Sequence, residues 1–149
     1  MERLSDPAFN RITQLEGPRR TKARVTPRLG TGINPSCFST GSTPVLGAEV
    51  TFDVNTSVHP APTLAIVDGR AVALEPGLLL GVGELLIDLG AGPPILLEGI
   101  AASGGVDSIS VAVPNDIALV GFRFVAQAGV LGGGQTVLCN ALDLVLGGA

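Results

Sequence analysis

Turn residues interrupt this chain about every ten positions from Leu46 onward, a spacing that admits short strands and little else. LGAEVTFDV (46–54) shows the pattern. Leu46, Ala48, Val50, Phe52 and Val54 fall on one face, with Glu49, Thr51 and Asp53 on the other, as in a half-buried strand. NTSVHPAP (55–62) ends it, because its prolines cannot continue a ladder. Further strands are expected at 63–68, 71–74, 84–89, 94–99, 107–113, 118–128 and 136–146. Turns between them carry Asp68–Gly69, Gly90–Ala91–Gly92, Ser103–Gly104–Gly105, Pro114–Asn115–Asp116 and Gly132–Gly133–Gly134. The helical stretches of 10–15 residues that a parallel sheet needs are missing. The expectation is all-β: an antiparallel β-sandwich or jelly roll of seven or eight short strands.

The 21 glycines and 11 prolines would suit low complexity, but here they punctuate Val/Ile/Leu runs. The most apolar region, 77–99, is broken by Glu84, Asp88 and Pro93–Pro94, so no membrane span is expected. Residues 1–28 lack the apolar core of a signal peptide, so an exported form would need a leader from outside this sequence.

Charge divides the chain in two. Residues 1–28 hold seven cations against Glu2, Asp6 and Glu16, a net +4, whereas residues 29–149 hold Arg70 and Arg123 against ten carboxylates, a net −8. With Pro7, Pro18 and Pro27, the basic part reads as an extended arm (1–28) ahead of a sandwich domain (29–149). Phe9, Ile12 and Leu15 have helical spacing, yet Phe9, Arg11, Thr13 and Leu15 alternate onto one strand face, and periodicity leaves both open.

Cys37 lies just before the first long strand of the body and Cys139 lies in the last. First and last strands of a sandwich often neighbour one another, so a bridge closing about 100 residues is expected in an oxidising compartment. Two buried free thiols are the alternative.

No catalytic constellation emerges. His59 is the single histidine, in VHPAP, and reads as a solvated loop residue; no serine occupies a G-x-S-x-G elbow. GVGELL (81–86) starts like a phosphate loop but ends in Leu86. Glu49, Asp53, Glu84, Asp88, Glu98, Asp107 and Asp143 fall mostly at outward strand positions or turns and read as surface charge. A turn aspartate (Asp68, Asp107 or Asp116) offers calcium one oxygen, but there is no D-x-D-x-D-G loop, and no metal or cofactor is expected. Without Trp or Tyr, an aromatic sugar platform is not expected. Asn55–Thr56–Ser57 is a glycosylation sequon in form, so glycan decoration at Asn55 is an option.

LGTG (29–32), STPVLGAEVTFDV (42–54), VPNDIALVGFRFVAQA (113–128) and CNALDLVLGG (139–148) occur in this order. In them, residues 29–148 resemble a β-rich module found at the C-terminal ends of secreted proteins of planctomycetes and related bacteria. The family often has Tyr or Trp where Phe122 and Phe124 stand. The resemblance implies an exported β-sandwich and carries over no catalytic residue.

The arm fits nucleic acid poorly, because its charge is modest, no aromatic interleaves Arg19 to Arg28, and the acidic body would repel phosphate. It complements another copy of the same chain better. Arg11, Arg19, Arg20, Lys22 and Arg24 would steer the encounter, and burial of Phe9, Ile12 and Leu15 would hold it. The expectation is a self-assembling extracellular subunit, not an enzyme, with head-to-tail contacts like those of donor-strand fibres. A disordered arm on a monomeric exported adhesion or ligand-binding module is the alternative.

Overall fold

Alternation in EVTFDVN produces strand β3 (Glu49–Asn55), where Val50, Phe52 and Val54 are buried and Glu49 and Asn55 face solvent. The computed structural model describes residues 21–149. Its other strands are β1 (Arg24–Arg28), β2 (Phe38–Thr40), β4 (Leu64–Arg70), β5 (Ala73–Leu80), β6 (Gly83–Ile87), β7 (Leu96–Ala101), β8 (Val106–Ala112), β9 (Arg123–Gly132) and β10 (Gln135–Val145). They form a five-stranded sheet β1-β10-β9-β4-β7, a three-stranded sheet β2-β3-β8 and a hairpin β5-β6. Every strand pair among the described residues is antiparallel, so the all-β sandwich is the fold.

The two larger sheets enclose the main core. Ala126, Ala128 and Val130 of β9 and Leu142 and Leu144 of β10 pack against Phe38, Val50, Phe52, Val54 and Ile109. Phe38 and Phe52 stack with ring centroids 5.7 Å apart. The opposite face of β9 and β10 is covered as well, because Leu86 and Ile87 of β6 bury Val125 and Ala141. Strands buried on both faces lose simple alternation, which is why RFVAQAGVLG and QTVLCNALDLV read as nearly continuous apolar runs. Gly133 and Gly134 join these two strands at φ +55° and +77°, as a two-residue turn with two left-handed positions requires.

Several sequence expectations shift. The arm ends earlier than residue 28, because residues 24–28 form β1, paired with β10 from Arg24↔Val145 to Arg28↔Ala141. Val25 packs against the core, and Pro27, which has no N–H to offer a ladder, is tolerated on this edge strand. The strand expected at 118–128 begins only at Arg123, because Ile117–Leu119 form a 3-10 turn and Gly121 sits at φ +82°. Glu84 is 1% exposed and His59 is 3% exposed, so neither is the surface group that its sequence neighbourhood suggested.

Candidate assembly site

One side of the sandwich is stitched shut. An extra residue in β10 between Leu138 and Ala141 turns Cys139 and Asn140 towards the other sheet. Cys37 and Cys139 form a disulfide with a Cα–Cα distance of 5.2 Å, as their positions suggested. Beside it, Asn140 Oδ1 accepts from Phe38 N at 3.1 Å and its Nδ2 donates to Phe38 O at 2.9 Å. The amide thus takes the place of a neighbouring strand for β2.

Two more buried amides seat the hairpin. Asn34 Nδ2 donates to the carbonyls of Glu84 and Cys139 at 2.8 and 2.9 Å. Gln127 Nε2 donates to the same two carbonyls, both at 2.9 Å. Asn34 Oδ1 and Gln127 Oε1 accept from the backbone N–H groups of Glu84 and Leu86, each at 2.8 Å. Buried polar groups persist where partnered in this way. The Glu84 carboxylate is gripped by the LGTG loop, whose Thr31 N and Oγ1 donate to Oε1 at 2.8 and 2.9 Å. Gln127 and the LGTG loop thus both hold the β5-β6 hairpin, whereas Asn140 holds β2.

The other side is open. β7 and β8 are the outer strands of their sheets and are not paired with each other. Between the sheets on that side lies an apolar groove of about 370 Å³, lined by Phe52, Leu96, Val111, Val113, Phe122 and Phe124. Ile95 (43% exposed) and Phe122 (38%) stand at its mouth. Each edge carries one carboxylate on its core-facing row. On β7, Leu96, Glu98 and Ile100 share the row opposite Gly69, Val67 and Ala65, so Glu98 is an exposed carboxylate on the core-facing row of an edge. On β8 that row is Asp107, Ile109 and Val111, followed by Val113, with the Asp107 carboxylate held by Thr56 Oγ1 and Ser103 N, while Val106, Ser108 and Ser110 face outward.

Most charge on the body is acidic. Of the five cations among residues 21–149, Arg28 bridges Asp143 at 3.0 Å and Glu75 at 2.6 Å, and Arg70 meets Asp68 at 2.8 Å. Arg24 and Arg123 flank Val145 along one row of the five-stranded sheet, beside a cavity of about 430 Å³ that Arg28 and Asp143 also line. Lys22 bridges to Gly148. Lys22 and Arg24 therefore belong to the body, a correction to the arm boundary. Phe9, Arg11, Ile12, Leu15, Arg19 and Arg20 lie outside the described residues.

Asn55 is exposed and caps the 3-10 turn Thr56–Val58, its Oδ1 accepting from Ser57 N and Oγ at 3.1 and 2.6 Å. His59 Nδ1 accepts from Ala61 N at 2.9 Å, which leaves Nε2 to donate to Gln135 O at 3.2 Å. Both ring nitrogens are thus engaged with backbone. Among the described residues no three His, Cys, Asp or Glu side chains converge as metal ligands, and no helix is long and apolar enough to cross a membrane. No family model matches the chain, and no curated protein matches it.

Proposed function

We propose that this chain is a self-assembling extracellular structural subunit, in which the basic N-terminal segment of one copy docks on the acidic sandwich of the next. The observation that carries this is the open side of the sandwich, where two unpaired strand edges flank an apolar groove. Unpaired edges recruit strands, and natural proteins cover or blunt them. Upstream of residue 21 the chain supplies Phe9, Ile12 and Leu15 among four arginines and three carboxylates, a segment with apolar surface to bury and a small net charge of +1 against −5 for residues 21–149. Charge would speed the encounter, and apolar burial of roughly 1.5–3 kcal/mol per large side chain would hold it. Such a contact is head-to-tail, giving a filament or, where its rotation closes, a ring. The disulfide and the resemblance to secreted modules support an extracellular setting.

The Arg24–Arg123 cavity favours one other function, a monomer that binds a carboxylated or sulfated ligand. Negative-stain microscopy and light scattering on the full chain, beside a Phe9→Asp/Leu15→Asp variant with unchanged circular dichroism, separate the two. Polymers from the parent that disappear in the variant support assembly. Monomers from both, at all concentrations tested, sink it.

A further inference from the structure

We infer that the cavity beside Arg24 and Arg123 binds a carboxylated sugar, a hexuronate unit whose carboxylate sits between the two guanidiniums while its hydroxyls meet Asp143 and Thr26. The site deepens the ligand-binding reading of this cavity, on which it rests, and serves a monomer or a subunit of a polymer alike.

The register of three strands builds the site. Arg24 of β1 pairs with Val145 of β10, which pairs with Arg123 of β9, so both arginines share one row on the outer face of the five-stranded sheet. Strands lie about 4.8 Å apart, which sets the two backbones about 10 Å apart across Val145. Arginine side chains are long enough to close on one carboxylate over that distance, each with paired N–H donors. Charge favours the same contact. Arg28 and Arg70 meet carboxylates, whereas among the described residues no carboxylate lies within ion-pair distance of Arg24 or Arg123. Two like charges on one row of a sheet repel, and an anion between them turns repulsion into attraction.

The other end of the cavity narrows the ligand class. Asp143 lies on the same face, about 7 Å along β10 from Val145, with Thr26 opposite it on β1. Asp143 Oδ1 accepts from Arg28 Nε at 3.0 Å, and Arg28 also donates to Glu75, so this guanidinium is committed and fixes the Asp143 carboxylate. Oδ2 has no partner among the described residues, and the Asp143 side chain is 40% exposed. A carboxylate this close to the arginine pair repels a second anionic group, which disfavours phosphate esters, nucleic acid and densely sulfated chains. Its charge is already met by Arg28, so hydroxyl donors suit it better than a second cation. Thr26 Oγ1 donates or accepts as a sugar hydroxyl requires. The ligand that fits carries one negative charge with hydroxyls a few bonds away, which is the layout of a hexuronate.

Size and setting agree. The cavity holds about 430 Å³, near the lower end of the roughly 300–1,000 Å³ of small-molecule sites, which suits one or two sugar rings. Ala71 and Ala73 line it with small side chains, Ala71 fully exposed, so a uronate within a longer glycan has a way in. No Trp or Tyr stacks on the sugar, so charge and hydroxyl contacts carry recognition, and binding weakens as salt rises.

The test is titration calorimetry of the full chain with an aldobiouronate, a disaccharide of one uronate and one neutral sugar, beside the matching neutral disaccharide and inorganic sulfate. Saturable binding of the aldobiouronate is expected, about tenfold or more tighter than either of the others. Arg24→Ala and Arg123→Ala should each weaken it about tenfold or more, and Thr26→Val about threefold. Lys22→Ala removes a cation outside the cavity and should stay within about twofold of the parent. Urea midpoints show that each variant folds. Sulfate bound as tightly as the aldobiouronate through the same arginines overturns the sugar while leaving the cavity a ligand site. Equal binding of the neutral disaccharide, binding indifferent to both arginines, or no binding of either anion overturns the sugar and the cavity together.

Discussion

Asn140 and Phe38, 102 residues apart, meet through a two-point hydrogen bond in which a side-chain amide pairs with both backbone groups of one residue, at 3.1 and 2.9 Å. The contact completes β2, a strand of three residues with β3 on its other flank. It also ties the two sheets together beside the disulfide.

Removing that amide should therefore cost more than an ordinary hydrogen bond. Asn140→Ala leaves a buried N–H and a buried carbonyl of Phe38 without partners, a loss of about 2–4 kcal/mol. Asn140→Asp keeps the acceptor but sets a carboxylate oxygen against the Phe38 carbonyl, and should be no milder. Urea unfolding checks both, with Ser110→Ala on an exposed face expected within about 0.5 kcal/mol of the parent.

The disulfide spans a sequence separation of 102. In the chain-entropy account a loop of this size constrains the unfolded chain by about 4–5 kcal/mol. The Cys37→Ser/Cys139→Ser variant, or the reduced parent, should unfold at a correspondingly lower urea concentration. A midpoint unmoved by reduction would show that the bridge adds nothing to stability.

Gly147 lies where a Cβ would collide with Thr21 O, Lys22 C and Ala23 N, all backbone atoms. Gly147→Val must push residues 21–23 off the C-terminal segment and should cost about 1–3 kcal/mol. Hydrogen exchange locates the damage: the amides of Ala23 and Gly148, which bond Gly148 O and Thr21 O, should lose protection first.

Asp107 couples stability to pH. The backbone N–H of Ser103 lowers its pKa, burial opposes the shift, and the Thr56 hydroxyl adds to it. A carboxyl with a depressed folded-state pKa contributes stability that is full above its unfolded value of about 3.9 and is lost as pH falls through the folded value. The parent should therefore lose more stability than Asp107→Asn between pH 5 and about pH 2, measured by thermal unfolding. Equal slopes would remove Asp107 from the account.

Parts of this architecture were legible before any tertiary contact was known. EVTFDVN alternates because one face of β3 meets the core and the other meets water, and the paired glycines at 133–134 demand a tight turn. The Cys37–Cys139 pairing also followed from strand order. The candidate site was legible only as charge: the acidic body can be counted along the chain, but the groove cannot. Its walls come from β3, β7, β8 and β9, strands whose proximity depends on how two sheets stack.

Tertiary structure decided the rest. RVTPR carries two arginines and a proline and has no strand pattern of its own, yet it becomes β1 because β10 offers an unpaired edge 115 residues from Arg28. Glu84 interrupts the most apolar region and His59 lies in a proline-rich turn, and both are buried by elements remote in sequence, the LGTG loop and the β9–β10 turn. Local alternation and turn chemistry arise between near neighbours, so the sequence alone determined the all-β class and most strand positions. Which edges are closed, which polar groups are buried and where a groove remains depend on contacts between distant strands, and only the folded chain brings those together.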